Sequence, residues 1–304
     1  MIWAVALQQV RSLRRQTVVV AILSLFLLMA MLTALLGWSS RHTVDGVYQV
    51  ATELLTARGA PVPPSPVGLM PTLGMFANLE VYVPLIGALA AITLGHLAVV
   101  DDVAGGIGRL VFSRPISPDQ WLLGRLTACG LVLSATTIAS IFVTTVSLWF
   151  ISGVPSSGAI LRLIAFHGLS LVYLMFFASI GALAMVLARR RAIGLVSALG
   201  AWMGVTFTLP QLASGLRPTS AFSPVAEPIS GADRFFSVTS ILRPLSITEQ
   251  YKQGSAELLQ LPQRAAGGSL VSPVIINLIA LAVVAAAAML ATRRLDMTVG
   301  AAND

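Results

Sequence analysis

The chain is poor in charge. Only 10% of its 304 residues are Asp, Glu, Lys or Arg, against 56% hydrophobic residues, whereas an ordinary soluble domain carries roughly 25% charged residues. A chain this apolar cannot clothe a water-facing globule, which excludes soluble enzymes and leaves an integral membrane protein. Lysine is nearly missing as well: Lys252 stands alone among 19 basic residues. The arginines sit at the edges of apolar runs, which is a topology signal. No basic groove interleaved with aromatics is present, so nucleic acid is excluded as a partner. Cys129 is the single cysteine, and no internal disulfide can form. None of Asn78, Asn277 and Asn303 opens an N-x-Ser/Thr acceptor site.

Energy-yielding and catalytic motifs are missing too. A phosphate-binding P-loop needs a lysine directly after its glycines, and Lys252 is followed by Gln253 in a loop. Ion-coupled carriers keep acidic residues inside the membrane; here the interiors of the apolar runs hold none, and Glu80 falls at an outer edge. His96, His167 and Arg162 remain, the arginine near a boundary where it can snorkel. There is no H-E-x-x-H and no Cys/His cluster. A lone membrane histidine reads first as a hydrogen-bonded packing residue.

What the chain has is length in its apolar runs. A hydrocarbon core about 30 Å thick takes about 20 helical residues. Six segments qualify: 18–38, 79–100, 121–151, 161–188, 192–212 and 270–291. The expected fold is therefore all-α, a single six-span membrane domain over 1–304. The first run is too long for a signal peptide and lacks a small-x-small cleavage site after Trp38, so it reads as a retained anchor.

Arginine placement sets the orientation. Arg11, Arg14, Arg15, Arg109, Arg114, Arg125, Arg189, Arg190, Arg191, Arg293 and Arg294 fall on one side in short segments flanking the spans. The positive-inside rule puts that side and both termini in the cytoplasm of a cell membrane, inner or plasma. On the other side lie two long loops, 39–78 and 213–269, each rich in proline. Short helices are expected there at Val44–Leu55 and around Ser246–Leu261. Loops of this size suggest a small folded cap and a periplasmic or extracellular partner. No internal repeat, coiled coil or low-complexity tract is evident.

Residues 1–16 form an amphipathic helix, with Trp3, Leu7, Val10 and Leu13 on one face and Gln8, Arg11, Ser12 and Arg15 on the other. Such a helix lies along the inner leaflet against membrane lipids. In the third span Ser134, Thr136, Thr137, Ser140, Thr144, Thr145 and Ser147 read as interhelical hydrogen bonding or cavity lining. Gly200-x-x-x-Gly204 in the fifth permits close helix approach.

The link between spans two and three, 101–120, is the most informative stretch. Asp101 and Asp102 close a span, and Gly105-Gly106 allow a sharp turn. Ile107, Leu110 and Val111 then share one face of a short helix, opposite Arg109. Arg114-Pro115 ends that helix. Ser117, Pro118, Asp119 and Gln120 form an N-cap, a first-position proline and a capping box that start the next span. An amphipathic helix of this kind with exposed apolar residues is a docking surface.

The order acidic-x-x-Gly-Gly, then Pro, then apolar-apolar-Gly-Lys/Arg entering a span resembles the ABC-2 type ABC transporter permeases. It is most similar to the NosY-like permeases associated with nitrous-oxide reductase maturation. Asp102, Gly105, Gly106, Pro115, Leu122, Leu123, Gly124 and Arg125 carry the likeness. The chain departs from that pattern in having aspartates where glutamate is usual, Gly106-Ile107-Gly108 where Gly-Thr-Leu is usual, and Arg125 in place of lysine. The resemblance implies a permease subunit of an ATP-driven exporter, paired with a second copy of itself and two copies of a separate ATPase that binds the ATP. The chain itself would hold no cofactor or metal and do no covalent chemistry. The segment Asp101–Pro115 would be the coupling element, and Arg189, Arg190 and Arg191 a second cytoplasmic contact. The alternatives are a membrane-embedded hydrolase or transferase using His96 or His167, and a non-transporting scaffold subunit.

Overall fold

A backbone in hydrocarbon must satisfy its own hydrogen bonds, and a helix does so within one segment. The computed structural model describes residues 2–66, 71–105, 116–214, 244–261 and 270–294. Among these every regular element is helical, and six helices are long and apolar enough to cross a membrane. In chain order the elements are α1 (Ile2–Arg15), α2 (Thr17–Ala57), α3 (Thr72–Ala104), α4 (Pro118–Ser152), α5 (Ser157–Ala188), α6 (Arg191–Leu212), α7 (Ile247–Leu258) and α8 (Val271–Arg293).

Helices α3 and α5 form the centre. They approach so closely that a Cβ on Gly95 would collide with the Ala178 carbonyl, and one on Gly181 with the Ile92 carbonyl. Small residues at such crossings replace the hydrophobic drive that is lost in lipid. Around this pair the buried side chains Ile92, Leu94, Val99, Trp121, Leu122, Phe166, Tyr173 and Phe177 make the core. Helices α6 and α8 lie at the periphery, with Val196, Met203, Ile279 and Val283 turned outward. Gly200 and Gly204 have open space where a Cβ would stand, so this pair packs against nothing within the chain among the described residues.

The ends follow local rules. Ser117 Oγ accepts from the Gln120 backbone N–H at 3.2 Å, the expected cap of α4, and Ser156 does the same for Ala159 at α5. Both α3 and α6 contain one wide π turn, Val83–Gly87 and Gly204–Thr208. These turns face each other: Trp202 Nε1 donates to the Pro84 carbonyl at 2.9 Å.

Part of the sequence reading changes. The helix of the first apolar run does not stop near Trp38; α2 runs unbroken for 41 residues and absorbs the helix anticipated at Val44–Leu55. Ser39–Thr43 contains no helix breaker, and Thr43 Oγ1 donates back to the Ser39 carbonyl. The hydroxyls of α4 divide: Thr136, Thr144 and Ser147 donate to the carbonyls of Val132, Ser140 and Val143 in their own helix, while Ser140 reaches His167 of α5 as expected. Glu80, expected at an outer edge, is fully buried.

Helix α1 divides its surface three ways. Ala6, Gln9 and Leu13 are buried against the protein, chiefly α4, where Gly124 leaves room beside Val5. Trp3 and Leu7, read from sequence as sharing an apolar face with Leu13, are instead exposed on the adjoining arc. Arg11 and Arg15 follow on the next. The helix thus carries a buried line, an exposed apolar line and an exposed basic line side by side.

Candidate functional site

Polar groups collect at both ends of the bundle. At the arginine-rich end, α3 closes with Asp101 and Asp102. Asp102 is buried, and its Oδ2 accepts from Trp121 Nε1 at 2.7 Å and pairs with the buried guanidinium of Arg125. Two opposite charges out of water hold each other because either alone would carry a large desolvation cost. This pairing joins the last turn of α3 to the first turns of α4 across 23 residues of sequence.

Asp101 faces the other way. Its Oδ1 receives Arg191 Nη2 at 3.3 Å, in a half-exposed pair that ties α3 to the start of α6. Gly105 lies beneath this contact; a Cβ there would meet the Asp101 carbonyl and come within 3.2 Å of Arg191 Nη2. The arginine turn is shaped by Arg189, whose φ of 56° is left-handed and whose N–H closes α5 on the Met185 carbonyl. Arg189, Arg190 and Arg191 are all exposed. A third link joins α8 to α4: Arg293 donates to both carboxylate oxygens of Asp119 at 2.6–3.1 Å.

The two predicted contact regions are therefore neighbours, bridged by Arg191 and Asp101. Of the expected coupling residues, Asp101, Asp102 and Gly105 are placed; Gly106, Ile107, Arg109, Leu110, Val111, Arg114 and Pro115 lie outside the described residues. Sequence reading named Arg125 for its place in the motif and missed its partner. A buried arginine one turn into an apolar helix was the available signal, since such a charge needs a counter-charge.

At the opposite end, α7 is drawn into the bundle. Thr248, Tyr251, Ser255 and Ala256 are almost wholly buried. Tyr251 Oη is 2.9 Å from Ser170 Oγ, and Tyr173 Oη is 3.0 Å from Thr248 Oγ1. The two tyrosine rings stack with centroids 4.4 Å apart. Thr248 also donates to the Val205 carbonyl, inside the wide turn of α6, at 3.1 Å. Burial pushes the Tyr251 phenol above its ordinary range, so it remains a neutral donor. Gly254 lets α7 sit against Leu169 and Pro273.

The histidines make no catalytic array. His167 Nδ1 lies 2.9 Å from the Leu163 carbonyl, an acceptor only, so that nitrogen carries the proton and Nε2 accepts from Ser140 Oγ at 3.0 Å. The cavity beside them, lined by Thr137, Ser140, His167 and Ser170, has about 10 Å³ of accessible space, room for about one water. His96 is buried far from this pair, with its Cε1 near Gly194.

Comparison with curated proteins gives no match. The family model described as "ABC-2 family transporter protein" matches residues 3–297. That match runs from the interfacial helix through the last span and takes in both polar ends. The six long apolar helices among the described residues fit it, and the chain belongs to the ABC-2 family of transporter proteins.

Proposed function

We propose that the chain is the permease subunit of an ATP-driven exporter, working as a pair with a second copy and two copies of a separate nucleotide-binding subunit. Both termini lie in the cytoplasm. The observation that carries this reading is the anchoring of residues 106–115 at both ends. On one side stand Asp101, bound to Arg191, and Asp102, bound to Arg125 and Trp121; on the other stands the Ser117 cap of α4. A displacement of that segment is passed at once to the roots of α3, α4 and α6. ATP bound and hydrolysed in the partner supplies the force, and this chain converts it into tilting of spans.

The outer end supplies the complementary part. Helix α7 is held to α5 and α6 mainly by neutral hydrogen bonds, with the wide turn of α6 beside it and one longer bond from Arg162 to the Glu257 carbonyl. Tilting the spans releases those bonds and opens a path outward. Membrane hydrolysis is the weaker reading, because the Ser140–His167 pair has no space for a substrate.

Co-purification of the tagged permease from its native membrane, with mass spectrometry of what remains bound, tests the proposal. The expected result is a stoichiometric P-loop ATPase, lost on Leu110→Asp and retained but uncoupled from transport on Arg109→Glu. An intact complex without an ATPase overturns the reading. His96→Ala and His167→Ala are expected to keep transport, and its abolition by either would revive the enzymatic alternative.

A further inference from the structure

At about 1.5 Å per residue, the 41 residues of α2 extend roughly 60 Å, about twice the hydrocarbon thickness. The half beyond Trp38 carries Arg41, Asp45, Glu53 and Arg58 and therefore stands in water. Along that half runs an apolar line: Val47 is 65% exposed, Val50 59% and Leu54 58%. The spacing is 3 and 4, the seam of a two-stranded helix pair, and Ala57 continues it. The chain covers the adjoining face of the same helix, where Tyr48 Oη donates to the Pro63 carbonyl at 2.8 Å and Pro66 shares a shallow pocket with Val44, Ala51 and Val47, while Val50 and Leu54 stand clear of it.

We propose that this outer half of α2 is a stalk that pairs, in parallel, with the same helix of a second copy. The occupant is argued from charge and symmetry. Two permeases in one membrane share their orientation, so stalks that meet at a two-fold axis along the membrane normal run parallel. With Val47 and Leu54 at the first seam position and Val50 at the second, Glu53 falls on one flank and Arg58 on the other. In a parallel pair these are the positions that meet across the seam. Glu53 of each copy then faces Arg58 of the other, twice, and neither has an ion-pair partner within its own chain among the described residues. A seam of this length is too short to register in sequence; it becomes visible once α2 is seen to be continuous. The inference rests on the paired-permease reading and gives it a contact outside the membrane.

Disulfide trapping in intact membranes tests it. Cys129 is buried and leaves the background silent. Disulfides need Cα atoms within about 7 Å, a separation that only seam positions reach. Val50→Cys and Leu54→Cys are expected to give a band of twice the chain mass on mild oxidation, and Gln49→Cys and Thr56→Cys to remain monomeric. With Val50→Cys as reporter, Glu53→Arg and Arg58→Glu each lower the dimer yield, and the double exchange restores it. The mass of the detergent-extracted complex is measured in parallel. A paired permease without seam cross-links overturns the stalk and leaves the pairing intact. Cross-links at Gln49→Cys equal to those at Val50→Cys, or to a different protein, also overturn it. A monomeric permease without cross-links removes both readings.

Discussion

At the arginine-rich end the bonds that tie elements together are made by formal charges: Asp102 with Arg125, Asp101 with Arg191, and Asp119 with Arg293. At the opposite end Ser170, Tyr173, Thr248 and Tyr251 tie α7 to the spans through neutral hydrogen bonds, beside a longer charged one from Arg162 to the Glu257 carbonyl. The difference matters energetically. Separating a buried ion pair by removing one partner costs about 3–5 kcal/mol, whereas a neutral hydrogen bond contributes a net of about 0.5–1.5 kcal/mol because water takes its place. Of the three ion pairs only Asp102 with Arg125 is buried, so the large cost belongs to that junction and not to the more exposed pairs of Asp101 and Asp119. A transporter that is pushed at one face and opened at the other needs that asymmetry.

The comparison breaks most sharply at Asp102. Asp102→Ala leaves Arg125 buried without its counter-charge, and a loss of about 3–5 kcal/mol is expected, read as a lower midpoint of thermal unfolding of the detergent-purified permease. Adding Arg125→Leu removes the stranded charge and recovers most of that loss. Equal midpoints for the single and double variants would show that the pair is not what holds the junction.

A smaller effect is expected at the neutral end. Tyr251→Phe deletes one bond to Ser170, which keeps its own bond to the Phe166 carbonyl, so stability falls by about 1 kcal/mol. Under the exporter reading, the same change loosens the outer seal, and leak of a small solute into proteoliposomes would rise without added ATP. A fall as large as that of Asp102→Ala would erase the contrast between the two ends.

Arg191→Gln gives the smallest change in stability. Its pair with Asp101 is half-exposed and screened by salt, worth about 0.2–1 kcal/mol at most. The unfolding midpoint is expected to stay nearly constant, while stimulation of the partner's ATP hydrolysis by substrate falls. Separate movement of the two readouts would sharpen the view of Arg191 as a contact that transmits rather than one that stabilises.

The six spans were legible because length and apolarity are local properties, and the Ser117 cap because its donors lie three residues apart. The pairing of Asp102 with Arg125 was not, since nothing in a linear reading chooses among many arginines. The end of α2 was misplaced because loss of hydrophobicity after Trp38 marks the edge of the membrane and not the end of a helix. The helix near residue 250 was foreseen, but its burial was not. Thr248, Gln250, Tyr251, Lys252 and Ser255 would each favour water, and for Thr248 and Tyr251 it is partners from distant segments that make burial tolerable. On α1 the exposure of Trp3 and Leu7 agrees with an outward apolar face, whereas Leu13, read with them, is buried against the protein, because a periodicity shows which residues share a face and not which neighbour covers it.

Gly37 sits at the midpoint of α2, with 20 helical residues on either side. A Cβ there would collide with Met75, so the helix touches the bundle backbone-close at that point. The contact has the place of a fulcrum. Each arm is roughly 30 Å long, and a rock of about 10° about Gly37 carries both tips through about 5 Å in opposite directions. A small swing of the arm that ends at Thr17 would thus reappear, reversed in direction, at the arm that ends at Ala57.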